Sequence, residues 1–342
     1  MTPRFLIARL SAIGDAILTM PLAVALRECI PDARIVWVAE PAAASLLQGH
    51  SCIDDVIVVP KRWLRSGAAW WQLRRALRAH RIDCALDPQS LAKSALAARL
   101  SAAPRRIAFA SPLGREGAPY LATDRVVPTK RHVVDRQLEL LRPLGLSPGA
   151  PSFRLPRYES ACERIDAWLD AARIESPFMV CNPSAAWPTK RWPAERYAEV
   201  ARRLAPQLGV PCVVVWSGAA ERELAQQIVD AAGDVGCLAP PTDLRELAEL
   251  VRRAALFIGS DTGPLHLAAA AGTPCVGLYG PTLPEVCGPY GPVHETVQVY
   301  YQDGTSRRRR SGDNWAMRAI TVDMVVQACH RVWRRRIDRP AA

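Results

Sequence analysis

Residues 257–282 read FIGSDTGPLHLAAAAGTPCVGLYGPT. An apolar run ends at Ile258, Asp261, Thr262 and Gly263 make a tight turn, and Pro264 stands at the first helical position, where a missing N–H costs nothing. The alanines at 268–271 allow the helix to lie close on a sheet, and GTPCVGLYG supplies the next strand and another turn. The helix start offers orphan N–H groups to an anion, with His266 in its first turn. His266 reads either as a buried structural histidine bonded to backbone or as a catalytic one.

The same rhythm recurs along the chain. FLIAR, RIVWVA, DDVIVV, IDCAL and RRIAFA are strand candidates in the first half, with helices from about Asp15 to Cys29 and through Trp70 and Leu77. In the second half FMVCN, VPCVVVW, ALFIG and TPCVGLYG alternate with helical stretches at Ala194–Leu208, Ala219–Ala232, Leu244–Ala254 and Pro264–Ala271. Short, wholly apolar strands between amphipathic helices predict parallel sheets covered on both faces. SPGAPSFRLPRY, residues 147–158, lacks periodicity and is rich in proline, which predicts a linker. The expectation is an α/β fold of two doubly wound domains, residues 1–150 and 151–320. A last helix from Thr321 to about Arg336 follows, with Val325, Val326, Cys329, Val332 and Trp333 on its apolar side. Ahead of it, QDGTSRRRRSGDN carries Arg307–Arg310 and reads as a solvated loop or as an anion-docking one.

At 342 residues, 49% hydrophobic and 23% charged, the composition excludes disordered, collagen-like and disulfide-scaffold classes. The net charge is +11, and the 44 basic residues include only four lysines, Lys61, Lys93, Lys130 and Lys190. Such a surface suits a polyanion: nucleic acid, anionic lipid or a phosphorylated substrate. Ten cysteines without a C-x-x-C pair read as reduced core residues of a cytosolic protein. MTPRFLIARLSAIGDAILTMP is broken by Arg4, Arg9 and Asp15, which argues against a signal peptide. The uncharged run over 262–284 holds four prolines and four glycines, which argues against a membrane span.

In doubly wound sheets ligands bind where strands turn into helices. At the first such turn, LSAIGD, Asp15 reads as a helix cap or as a general base. Neither G-x-G-x-x-G nor a P-loop is present. At CNPSAAWPTKRWP the small residues Ser184, Ala185 and Ala186 admit a ligand. Lys190 beside a helix start makes a phosphate site, or else a surface lysine next to core tryptophans. After VVVW, Ser217 and Gly218 lead to Glu221, which suits ribose hydroxyls or the helix dipole equally. Neither D-x-D nor H-E-x-x-H occurs, and no metal ligand set or cofactor site is expected.

In this order the blocks SAIGDAILTMP, Lys190-Arg191-Trp192-Pro193, Ser217-Gly218 with Glu221, SDTGPLHLAAAAGTPCVGLYGPT and the tail Met317-x-x-Ile320-Thr321-Val322-Asp323-x-Val325 resemble glycosyltransferase family 9, the ADP-heptose:lipopolysaccharide heptosyltransferases. The resemblance spans nearly the whole chain. It implies a GT-B architecture: two Rossmann-like domains facing across a cleft, the acceptor mostly on the first, the sugar nucleotide mostly on the second, and the last helix, 321–342, crossing back to the first. It implies Asp15 as base and Lys190, Thr262, Gly263 and Ser184 at the donor diphosphate. Asp261, Glu221 and His266 would then serve the donor sugar and nucleoside. Some family members carry hydroxyl residues where Ala185 and Ala186 stand, and the resemblance then leaves Ser184 or Thr189 to supply that contact.

Inverting, metal-independent transfer of heptose from ADP-heptose to a phosphorylated glycolipid acceptor is the implied reaction, in a cytoplasmic enzyme working at the inner membrane face. Lys61, Arg62 and Arg65 in one loop, with Arg105 and Arg106 in another, are the acceptor and anionic-membrane candidates. Trp63, Trp70 and Trp71 beside them read as core packing. A nucleotide-sugar epimerase of the same fold and a non-catalytic anion or nucleic-acid binder are the rivals. Phosphate-backbone binding requires no carboxylate at Asp15, so Asp15, Lys190 and Asp261 together favour catalysis, and nucleic acid is not expected as a partner.

Overall fold

The computed structural model describes residues 2–175 and 177–337 and divides into two compact units, Met1–Pro156 and Arg157–Ala342. In the first unit six strands, β1 (Arg4–Ala8), β2 (Arg34–Ala39), β3 (Asp55–Val58), β4 (Cys84–Asp87), β5 (Arg105–Phe109) and β6 (Asp124–Val126), form one sheet in the order β3-β2-β1-β4-β5-β6. The second unit repeats the plan with β7 (Met179–Asn182), β8 (Cys212–Val214), β9 (Gly236–Leu238), β10 (Leu256–Ser260), β11 (Cys275–Leu278) and β12 (Glu295–Val297), ordered β12-β11-β10-β7-β8-β9. Every pairing is parallel. Each strand therefore needs a crossover, and helices supply it on both faces.

Burial explains the apolar strands. All four residues of β4, β7 and β11 and all five of β10 are buried. In the first unit Leu6, Val36, Ala85 and Leu77 share a core with Trp63. In the second, Met179, Ile258 and Val276 pack with Tyr197 and Leu204 of the helix Ala194–Leu208. Gly259 suits the close meeting of β10 and β7: a Cβ there would stand 3.2 Å from the Asn182 carbonyl and 3.0 Å from the Phe257 ring, so those neighbours would have to give by a few tenths of an ångström. All ten cysteines are free and seven are buried.

The helices at Ile13–Cys29, Ala194–Leu208, Ala219–Ala232, Leu244–Arg253 and Gly263–Ala270 stand where periodicity places them. Two features differ. Arg307–Arg310 belong to a short helix, Ser306–Ser311, whose start is capped by Thr305 Oγ1 accepting the Arg308 N–H. The final helix, Val322–Ile337, corrects the expectation that it returns to the first domain. Its Val325, Val326, Cys329 and Val332 are buried in the second unit's core against β10, β11, β12 and the helix Ala194–Leu208. Its apolar stripe finds its partner at once, and Trp192 Nε1 ties the preceding Ile320 carbonyl at 3.0 Å. Residues 338–342, expected to continue that segment, lie outside the described residues.

Asp87 closes β4 and is fully buried, with Oδ1 accepting the Gln89 and Ser90 N–H groups at 3.1 and 2.7 Å. Burial pushes its carboxyl up to about 7, against the lowering by those bonds and by Arg9. A raised acid favours the neutral form, so its contribution to stability is full below about pH 4 and lost as pH rises through about 7. Asp87→Asn keeps the acceptor and removes the titration. Thermal melts should show wild type losing more stability than the variant between about pH 5 and pH 9, by a few degrees or more. Equal losses would show that Asp87 is not the group responsible.

Candidate active site

Both sheets reverse their winding at the first strand, between β1 and β4 and between β7 and β10, and the crevice outside those carboxyl ends is where a doubly wound sheet binds ligands. The sequence candidates Asp15, Ser184, Lys190, Asp261 and Thr262 all stand at these two places.

In the second unit, β7 ends at Asn182 and β10 at Ser260. Asn182 Nδ2 donates to Thr262 Oγ1 at 3.2 Å, tying the two turns together. A single 3-10 turn, Pro188–Lys190, aims Lys190 back at β10. Its Nζ donates to Asp261 Oδ2 at 2.6 Å and to the Asp261 carbonyl at 2.9 Å, which leaves one ammonium N–H for a ligand. His266 Nε2 meets the other carboxylate oxygen, Oδ1, at 3.0 Å. The Lys190 and Asp261 side chains are only 14% and 7% exposed. Burial raises the Asp261 carboxyl, but the His266 hydrogen bond and the Lys190 charge outweigh it and hold the group well below the usual carboxylate range.

His266 is thus bonded to a side chain rather than to backbone, and its Nδ1 is buried with no partner. Ser184 Oγ is likewise buried and unpartnered in the small-residue turn. Thr262 stands at the N-cap position of the helix Gly263–Ala270 without a side-chain capping bond, its hydroxyl donating to the Ser260 carbonyl at 3.2 Å, which leaves the amide groups of the first turn as anion donors. Thr189 is not available in the way expected: it is fully buried and its hydroxyl donates to the Arg309 carbonyl. Glu221 Oε2 accepts the Ser217 N–H at 2.9 Å, so it caps the turn opened by Gly218 at φ +78°.

In the first unit Asp15 lies in the opening turn of the helix Ile13–Cys29. Its Oδ2 accepts the Ala12 N–H at 3.3 Å and pairs with Arg9 at 2.7 Å. Arg9 is 8% exposed, whereas Asp15 is 48% exposed. Both contacts fall on one oxygen, so Oδ1 is presented to solvent. Beside it Lys93 Nζ binds Glu40 Oε1 at 2.7 Å and Ser11 Oγ, and Leu10 N–H binds Gln89 Oε1 at 2.9 Å across the crevice. Arg9, Lys93, Glu40 and Asn182 escaped the sequence reading. Lys93 had a signal, as one of four lysines in so arginine-rich a chain.

The acceptor candidates separate into two groups. Lys61, Arg62 and Arg65 are exposed in the loop after β3, at the carboxyl rim that also carries Asp15. Arg105 and Arg106 open β5, at the opposite rim, which corrects their assignment. Arg105 is bound to Asp124 at 3.0 Å, and Arg106 to the Ala103 and Leu121 carbonyls at 2.6 and 2.8 Å. Trp63 is core and Trp70 packs against it, but Trp71 is 55% exposed. Among the described residues no group of three His, Cys, Asp or Glu is placed to hold a metal ion.

Residues 70–315 match the model of glycosyltransferase family 9 (heptosyltransferase). Over 303 residues the chain is 30% identical to lipopolysaccharide heptosyltransferase 1 of Pseudomonas aeruginosa, covering 84% of this chain and 81% of that protein. It is 27% identical to the Escherichia coli K12 protein of the same description, over 84% of this chain and 91% of the relative. Among solved structures, a family 9 glycosyltransferase from Veillonella parvula superposes with a TM-score of 0.83 at 24% identity, covering 97% of this chain and 98% of that one. An Escherichia coli heptosyltransferase with ADP gives 0.74 at 22% identity, over 97% and 99% of the two chains. The structural likeness carries the fold: α/β, two parallel sheets with flanking helices, as in GT-B heptosyltransferase structures.

Proposed function

The chain belongs to glycosyltransferase family 9, and from that premise we propose that it transfers heptose from ADP-heptose to a lipopolysaccharide inner-core acceptor, by inversion and without a metal ion. The observation that carries this reading is the cluster outside β7 and β10. There a lysine with one N–H to spare, held on Asp261, stands beside a helix start, and Asp261 is also held by His266. An ammonium and a row of amides suit a diphosphate.

In this reading the second unit binds the donor. Lys190, Ser184, Thr262 and Gly263 hold the diphosphate, Asp261 and His266 the sugar hydroxyls, and Glu221 the ribose once it exchanges the Ser217 N–H for a hydroxyl. The first unit supplies the base. Asp15 Oδ1 takes the proton of the acceptor hydroxyl as its oxygen attacks the anomeric carbon, while the bond to the diphosphate breaks and its electron pair leaves with ADP. Arg9 keeps the carboxylate turned so that Oδ1, rather than Oδ2, faces the acceptor. Lys61, Arg62 and Arg65 are the contacts for acceptor phosphate and for anionic lipid, placing the enzyme at the inner face of the cytoplasmic membrane. Among the described residues no helix is long and apolar enough to cross one.

Calorimetric titration with ADP, UDP, GDP and CMP, without added metal, tests the donor. ADP should bind and the others should not. Binding of UDP or GDP in its place would keep the site and replace the sugar nucleotide, and binding of none would remove the donor site from this cluster.

A further inference from the structure

The arginine run of the second unit does not stand apart from the donor cluster. The helix Ser306–Ser311 is seated on the turn that carries Lys190. Thr189 Oγ1 donates to the Arg309 carbonyl, and Asn314 Nδ2 donates to the Arg191 carbonyl at 2.8 Å. Arg310 lies over the indole of Trp187, its guanidinium carbon 5.1 Å from the ring centroid. Lys190 Nζ is 4.5 Å from the same centroid. One tryptophan thus gathers both cations, an arrangement each favours through the negative face of the ring.

Charge accounting shows why a second cation is needed. Lys190 is matched by Asp261 at 2.6 Å, and Asp261 is held firmly as the carboxylate. The pair is therefore close to neutral, while a departing nucleoside diphosphate carries more than one negative charge. Arg310 is exposed, and no carboxylate partner for it is found among the described residues. A guanidinium presents two parallel N–H groups to a phosphate, a geometry an ammonium cannot offer.

We propose that Arg310, positioned by Trp187, binds the donor diphosphate and stabilises it as it leaves. The inference rests on the donor reading above and adds a residue to it. When the bond between the anomeric carbon and the phosphate oxygen breaks, the electron pair stays on that oxygen, the new bond forms to the acceptor oxygen and the proton goes to Asp15. Arg310 meets the charge that appears on the phosphate.

Calorimetry on the full chain with ADP, AMP and adenosine tests it, using wild type, Arg310→Ala, Arg310→Lys and Arg307→Ala. Arg307 is exposed one turn earlier on the same helix, and the ring contacts of Trp187 are with Arg310 and Lys190, so its variant removes the same charge without removing a ring contact. Arg310→Ala should weaken ADP about tenfold, AMP less and adenosine not at all, with Arg310→Lys between it and wild type. Arg307→Ala should stay within about twofold for ADP, since an exposed side chain not held on the indole contributes little beyond a solvent-screened charge. In turnover, Arg310→Ala should lower kcat more than it raises the donor KM. Equal effects of the Arg307 and Arg310 variants would overturn the proposal and leave the donor reading intact, as would adenosine weakening in step with ADP. If wild type binds no nucleoside diphosphate, the donor reading fails first and takes Arg310 with it.

Discussion

Asp15→Asn should lower kcat by roughly 10²–10⁴-fold while the affinity for the donor nucleotide stays within about twofold. The asparagine still accepts the Ala12 N–H that opens the helix Ile13–Cys29, so the local fold is kept and only the basic oxygen is lost. Arg9 loses its ionic partner in this variant, and Asp15→Glu separates that effect, because it restores the charge but moves the carboxylate by a methylene. A variant with wild-type kcat would remove Asp15 from the reaction and turn attention to the other carboxylates on that rim, Glu40 and Asp87.

Lys190→Ala should abolish measurable ADP binding and, unlike the Asp15 variant, should also destabilise the second unit. The variant leaves Asp261 buried without its ammonium, and breaking a buried pair from one side costs about 3–5 kcal/mol. The sign of the pH effect follows from the depressed carboxyl. Its stabilising contribution is present above about pH 4 and is lost as pH falls toward the native value, so wild type should hold its folded state further into acid than the variant. The gap between the two melting curves should therefore be wide at neutral pH and close as pH falls below about 4. A double variant, Lys190→Ala with Asp261→Asn, should recover much of the stability and none of the ADP binding. Recovered binding would show that Lys190 serves only to neutralise Asp261.

The helices and strands were legible because doubly wound sheets write themselves as short buried runs between amphipathic ones, and the second unit's helices stand within a residue or two of their sequence bounds. Position along a strand was less legible. Arg105 and Arg106 look like Lys61 and Arg62 in composition, yet only the direction of β5 shows that they open a strand and lie on the far rim. The direction of the last helix was equally hidden, since an apolar stripe does not name the surface it covers. At the donor cluster each of Lys190, Asp261 and His266 was legible singly as a residue of a strand-to-helix turn. Their union across 71 positions of chain was not, because it depends on β7 and β10 being neighbours. Arg9 was missed for a related reason: a basic residue next to a strand end reads as surface until its carboxylate partner is seen.

Forty of the 44 basic positions are arginine, so this chain has in effect run its own substitution experiment, settling on the guanidinium at nearly every position where positive charge is wanted. Lys190 and Lys93 are two of the four exceptions, and their surroundings show why. Lys190 must reach a carbonyl and a carboxylate oxygen of one residue from a single nitrogen, and Lys93 must reach Glu40 and Ser11 in the same way. A tetrahedral ammonium brings both bonds and a third N–H to one nitrogen, whereas a guanidinium spreads its five N–H groups in a plane over three. At these two crevice positions the lysine therefore marks a demand of shape rather than of charge, while the exposed Lys61 and Lys130 carry no such constraint.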